Sequence, residues 1–219
     1  MTALTVRDDP AQYLAGVLAD RIAAGAREIA LSGGTTPRRA YELLAERGVG
    51  DARLWLVDER CVPGDHPDSN ARMIREAMGE GVRLVEARGE LGPEDAAWLY
   101  ARDLVAALGD VPVLDVVVLG LGEDGHTASL FPRHPQAFAA HAPVIGVRGS
   151  PKPPPERITL TLPVIDRARH TVLMATGESK REPLARVRAG DDELPPARLR
   201  ALDEIVCDVA ASAGPRATA

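Results

Sequence analysis

The chain has 219 residues, of which 45% are hydrophobic, 26% charged and 3% aromatic, with a formal net charge of -6. That balance suits a folded globular protein with an aliphatic core and argues against extensive disorder. An acidic surface gives no support for nucleic-acid binding, and no apolar run is long enough to span a bilayer, so an anionic ligand would need locally gathered Arg, Lys and backbone N–H groups.

The two cysteines, Cys61 and Cys207, form neither a disulfide framework nor a zinc pattern. Cys207 lies in an apolar run and is expected to be buried. The start, MTALTVRDDP, lacks the basic and apolar segments of a signal peptide, which sets a cytoplasmic expectation.

Residues 10–24 place Leu14, Val17, Leu18 and Ile22 at helical spacing, with Asp8 or Asp9 as N-cap. A brief strand at 28–31 runs into Ser32-Gly33-Gly34-Thr35-Thr36-Pro37, with Pro37 expected to open the next helix, to about Arg47. A strand, a Gly-rich turn and a helix start can present several N–H groups to a phosphate. The turn has neither Walker nor G-x-G-x-x-G spacing, so ATP and dinucleotides are poorly supported.

A second strand, 53–57, ends at the charged triplet Asp58-Glu59-Arg60, expected to form a site wall with Arg60 holding substrate oxygens. A Pro- and Gly-containing loop follows, then a helix capped by Asp68 or Ser69. Residues 82–85 read as a strand and 93–108 as an amphipathic helix, with Trp98 expected in the core.

The run 115–119, DVVVL, is the kind of β-branched segment that suits a strand covered on both faces. Behind it stand Gly120, Gly122, Glu123, Asp124, Gly125, His126, Thr127 and Ser129, where an open α/β sheet binds its ligands. That concentration of polar and permissive residues points to a catalytic loop. His134, His141 and His170 show no metal spacing and are expected at the surface.

A strand is expected at 142–147, and GSPKPPP at 149–155 is either a stiff loop or a linker between domains. Alternation at 157–162 gives another strand, and 162–168 a short turn or helix. The strand 171–175 ends at Thr176-Gly177-Glu178-Ser179-Lys180, where a helix to Arg188 begins; Lys180 is a cation at a helix start. A last apolar run covers 205–207, and the small-residue end from Ala210 is expected to fray. Strands alternating with helices give one doubly wound α/β domain over 1–219.

Four stretches together resemble the 6-phosphogluconolactonase family: SGGTTP at 32–37, VDERCVP with DSN over 57–70, LGLGEDGHTASLFP at 119–132 and PPPERITLTLPVI at 153–165. TGESK at 176–180 and LPP at 194–196 add to the match, while Ile205 stands where the family usually has Trp. The resemblance implies a three-layer α/β/α Rossmann-like domain with a mostly parallel sheet, related to glucosamine-6-phosphate deaminase. It implies hydrolysis of 6-phospho-D-glucono-1,5-lactone to 6-phosphogluconate in the oxidative pentose phosphate pathway, without cofactor or metal.

On that view His126 is the general base and Asp124 orients or tunes it, while Arg60 or backbone N–H groups of the glycine turns meet the developing oxyanion. The phosphate is expected on Gly33, Gly34 and Thr35, with Arg157 and Lys180 as counter-charges, and Gly125 is expected among the residues that bind the substrate or its phosphate. The partner is a small sugar phosphate, with neither nucleic acid nor membrane, and the protein is expected to be a monomer. Two rivals are a glucosamine-6-phosphate deaminase, which shares the phosphate turn and the D-G-H unit, and a non-enzymatic sugar-phosphate-binding regulator.

Overall fold

The computed structural model describes residues 2–212. In chain order the first half runs β1 (Ala3–Val6), α1 (Pro10–Ala23), β2 (Glu28–Leu31), α2 (Thr35–Arg47), β3 (Arg53–Leu56), β4 (Asp58–Arg60), α3 (Asn70–Met78), β5 (Arg83–Leu84) and α4 (Pro93–Leu108). The second half runs β6 (Val116–Gly120), β7 (Val144–Val147), β8 (Arg157–Leu160), α5 (Leu162–Ile165), β9 (Thr171–Ala175), α6 (Arg181–Arg188), β10 (Glu204–Cys207) and α7 (Val209–Ser212).

Seven strands form one sheet in the order β1-β10-β9-β6-β2-β3-β5, and every neighbouring pair is parallel. The chain builds outward from β2 through β3 to β5, then returns to β6 on the other side and continues through β9 and β10. The direction of winding therefore reverses between β2 and β6, and their carboxyl ends splay a crevice open there. All five residues of β9 and four of the five in β6 are buried, as strands covered by helices on both faces require. This is the α/β architecture expected.

Helix starts follow the sequence with one shift. Asp9 accepts a hydrogen bond from the N–H of Gln12 to cap α1, and Ser69 Oγ accepts from Arg72 N to cap α3. By contrast α2 opens at Thr35, two residues before Pro37, behind Gly34 at φ 109. Pro37 sits in the first turn, where a missing N–H leaves no helical bond unmade.

Trp98 is a correction: it is 65% exposed, beside the Arg102 guanidinium. The buried stripe of α4 is Ala96, Ala97, Tyr100 and Leu104, and position 98 lies off that stripe. His170 is another correction, since it is buried at the amino end of β9 with Nδ1 3.2 Å from Arg21 Nη2. His141 is exposed as expected, Cys207 is buried, and Ile205 is buried within β10. Residues 209–212 form the short α7; the rest of the expected fraying end, 213–219, lies outside the described residues.

A second, antiparallel sheet of three strands, β4-β8-β7, stands at the carboxyl end of β3. One residue, Val57, separates β3 from β4, so Asp58-Glu59-Arg60 leaves the main sheet and pairs with β8. The register sets Asp58 opposite Thr159 and Arg60 opposite Arg157. The proline segment joins β7 to β8 within this sheet, closed by a hydrogen bond from Ser150 N to Pro155 O, so it is a stiff loop and not a linker.

Candidate active site

A cavity of about 310 Å³ lies over the carboxyl ends of β2 and β6. Gly33, Gly34, Thr35, Arg60, His126, Arg157 and Lys180, seven residues singled out in the sequence, line it together.

Its first wall is the turn after β2. Ser32 ties this turn to the neighbouring strand by donating its hydroxyl to Val118 O. Gly33 has no room for a side chain: a Cβ there would fall 1.8 Å from Asn70 Oδ1. Beyond Gly34 the chain enters α2 at once, so the free N–H groups of its first turn and the positive end of its dipole face the cavity region.

The second wall is the loop after β6, which leads to no helix. It is closed by side chains and by its own backbone: Gly122 N donates to His126 O and Gly125 N to Gly122 O, while Thr127 Oγ1 donates back to Gly120 O. Inside this closed turn His126 Nδ1 lies 2.5 Å from Asp124 Oδ1. Burial would raise the Asp124 carboxyl, but the hydrogen bond and charge of His126, helped by Lys152, outweigh it and bring it down to about 2. An ionised carboxylate can only accept, so Nδ1 donates and the ring's lone pair is left on Nε2. Phe131 supports the ring, with centroids 4.6 Å apart.

Gly122 is obligatory for this pair, because a Cβ there would meet His126 Nδ1 at 2.0 Å and Asp124 Oδ1 at 2.5 Å. Gly125 lies outside the cavity lining. Its φ of 85° and its contact with Leu194, 2.5 Å from a built Cβ, assign it to shaping the turn. Asp124 also stands behind the lining, reached through His126.

The small sheet supplies the third wall. Strand alternation sends Asp58 and Arg60 to the cavity and turns Glu59 away. Glu59 accepts hydrogen bonds from the N–H groups of Asn70 and Ala71 and from Ser69 Oγ at the start of α3. Burial pushes its carboxyl up, against those same donors. Arg60 Nη1 donates to Asp68 O, whereas its buried Nε has no partner among the described residues.

Arg157 is almost wholly buried and donates to the carbonyls of Lys152, Pro153 and Pro154, with Ser129 Oγ at 3.4 Å. It anchors the proline loop as well as lining the cavity, and burial lowers the guanidinium's pKa.

Sequence reasoning placed Asp58 in a site wall but gave it no partner, missed Asn70 as a cavity residue and gave Ser129 no specific part. Ser129 Oγ donates to Asp58 Oδ2 at 2.6 Å, and Asn70 Nδ2 donates to Asp58 O at 2.8 Å. Lys152, inside the proline run, was missed as well and lines the cavity. All four sit inside stretches that carried the family resemblance or beside them, yet nothing in their spacing shows that they meet. Among the described residues no three His, Cys, Asp or Glu side chains gather as a metal-binding set, and no helix is long and apolar enough to cross a membrane.

The glucosamine-6-phosphate isomerase/6-phosphogluconolactonase family model matches residues 3–206. Human 6-phosphogluconolactonase is 40% identical over 202 residues, covering 83% of this chain and 78% of the relative. The Streptomyces coelicolor 6-phosphogluconolactonase is 38% identical over 191 residues, covering 78% and 73%. Among solved structures, 6-phosphogluconolactonase from Trypanosoma cruzi superposes with a TM-score of 0.82 at 27% identity, covering 97% of this chain and 96% of that one. The Leishmania guyanensis 6-phosphogluconolactonase gives 0.84 at 26% identity, covering 99% and 100%. Since the family match takes in every wall of the cavity, from the turn after β2 to Lys180, the chain belongs to the glucosamine-6-phosphate isomerase/6-phosphogluconolactonase family.

Proposed function

We propose that this protein is a 6-phosphogluconolactonase, hydrolysing 6-phospho-D-glucono-1,5-lactone to 6-phosphogluconate. The observation that carries the proposal is the Asp124–His126 pair, whose imidazole lines the same cavity as the first turn of α2. The named lactonases among the relatives favour this reaction over the deaminase and over a regulator without activity.

The phosphate sits on the backbone N–H groups of Gly33, Gly34 and Thr35, with Lys180 and the guanidinium of Arg157 supplying positive charge. Burial lowers the Lys180 ammonium's pKa, and Glu123, 3.9 Å away, acts against that effect. His126 Nε2 takes a proton from the water that attacks the lactone carbonyl, while Asp124 holds the ring and stabilises the imidazolium that forms. Arg60, whose Nε is buried without a partner among the described residues, meets the oxyanion of the tetrahedral intermediate. Collapse of that intermediate opens the ring, and the imidazolium returns its proton to the departing ring oxygen.

The chain then acts as one domain over 1–219, as a cytoplasmic monomer on a sugar phosphate, without metal or cofactor. The test is acid release from fresh 6-phosphogluconolactone beside ammonia release from glucosamine 6-phosphate, each with and without chelator, after subtracting spontaneous hydrolysis. Chelator-insensitive acid release without ammonia is expected. Ammonia release alone would assign the deaminase reaction, and activity restored stoichiometrically by one divalent metal would overturn the metal-free mechanism.

A further inference from the structure

The cavity holds a cation with no part in the scheme above. Lys152 lines it from the proline loop, with Nζ 3.8 Å from Asp124 Oδ1, the same oxygen that meets His126 Nδ1. Its backbone is fixed, since Arg157 holds the carbonyls of residues 152–154 and Ser150 Oγ donates to Lys152 O. Its side chain is not: it is 41% exposed, and its ammonium makes no hydrogen bond among the described residues. A long flexible stem on a rigid base lets a point charge choose between acceptors. One carboxylate oxygen at 3.8 Å is a weak hold, whereas a phosphate dianion offers twice the charge and three oxygens.

We propose that Lys152 is a positioning residue shared between Asp124 and the substrate's phosphate, which draws the ammonium away and leaves the carboxylate wholly to His126. The inference rests on the lactonase reading of the cavity and adds a coupling to it: the phosphate improves the base as well as anchoring the sugar. An imidazolium is stabilised by a neighbouring carboxylate in proportion to how little of that charge another cation neutralises. The charged groups facing the pair are Lys152, Lys180 from the turn before α6, Glu123 from the same loop, and Asp58, Arg60 and Arg157 elsewhere in the lining. Of the cations, Lys152 is the one that pairs with Asp124 itself.

The decisive measurement follows the His126 imidazole by NMR through a pH titration, in sulfate and in chloride of equal ionic strength. Sulfate serves as a tetrahedral divalent anion whose charge is constant over the range. In the wild type, sulfate should raise the His126 midpoint by about half a pH unit. In Lys152→Met the midpoint should already be raised in chloride, and sulfate should move it by less than half as much. Lys152→Arg should behave as the wild type.

An unmoved wild-type midpoint overturns the proposal whether or not the Met variant folds. So does a Lys152→Met midpoint in chloride no higher than the wild type's, or a sulfate response as large. Sulfate coupling beside an absence of lactone hydrolysis would count against the lactonase assignment and leave the coupling standing.

Discussion

Adjacent strands β2 and β6 end at the same crevice, yet the loops behind them are built in different ways. The turn after β2 is mostly local: two glycines and a helix start present backbone N–H groups within about six residues, and only the counter-charges Arg157 and Lys180 and the packing of Asn70 come from elsewhere. The loop after β6 has no helix to end in, and its chemistry lies in two side chains that must be held against each other. That holding comes from far along the chain: Leu194 against Gly125, Asp58 under Ser129, and Lys152 beside Asp124. Anion binding can be made from backbone alone, whereas a positioned base needs a shell of neighbours.

The comparison breaks most sharply at His126. Changing His126→Asn keeps a hydrogen-bonding edge but removes the base, and kcat should fall by roughly 10²–10⁴-fold. Binding of 6-phosphogluconate, measured by calorimetry, should stay within a few-fold because the turn after β2 is untouched. A folded variant with wild-type kcat would reduce His126 to a structural part of the turn.

One added methyl group on each side sharpens it further. Gly122→Ala forces His126 and Asp124 apart and should lower kcat by about 10²-fold with a modest change in KM. Gly33→Ala displaces Asn70 at the anion-binding turn and should instead raise KM by about tenfold, leaving kcat less affected. Steady-state kinetics on both variants separate the two loops, and the same KM-to-kcat pattern in each would erase the distinction.

The long-range support can be weighed by stability. Ser129→Ala removes the hydroxyl that donates to the buried Asp58 carboxylate, leaving Asn70 Nδ2 at 3.4 Å as its side-chain donor. Urea unfolding should show a loss of about 1–3 kcal/mol. A loss below about 0.5 kcal/mol would mean that the two walls are not held together through this bond.

The smallest effect expected is in acid. Asp124 titrates near 2 in the folded protein, below the ordinary carboxylate value, so its contribution is present above the unfolded-state value. That contribution is lost as pH falls through about 2. The gap in urea midpoint between the wild type and Asp124→Asn should therefore narrow from pH 4 to pH 2. A constant gap would place the stabilising role of Asp124 outside its ionisation.

Much of this architecture was legible in the chain because it is local. The strands at 28–31 and 171–175, the helix at 93–108 and both glycine turns follow from periodicity, capping residues and apolar runs read over a few residues. His126 and Asp124 were legible for the same reason, lying two residues apart behind a buried strand.

Where a position depends on which face packs, periodicity was a weaker guide. Trp98 differs by one step from the buried stripe of α4, and His170 is buried because β9 and α1 bring Arg21 against it. Only the tertiary structure could decide that Asp58-Glu59-Arg60 bends out of the main sheet to pair with β8. That pairing sets Arg60 beside Arg157, across nearly a hundred residues of chain. It also places Lys152 at Asp124 and Ser129 at Asp58, contacts fixed by strand register and crossover path, which no short window of sequence encodes.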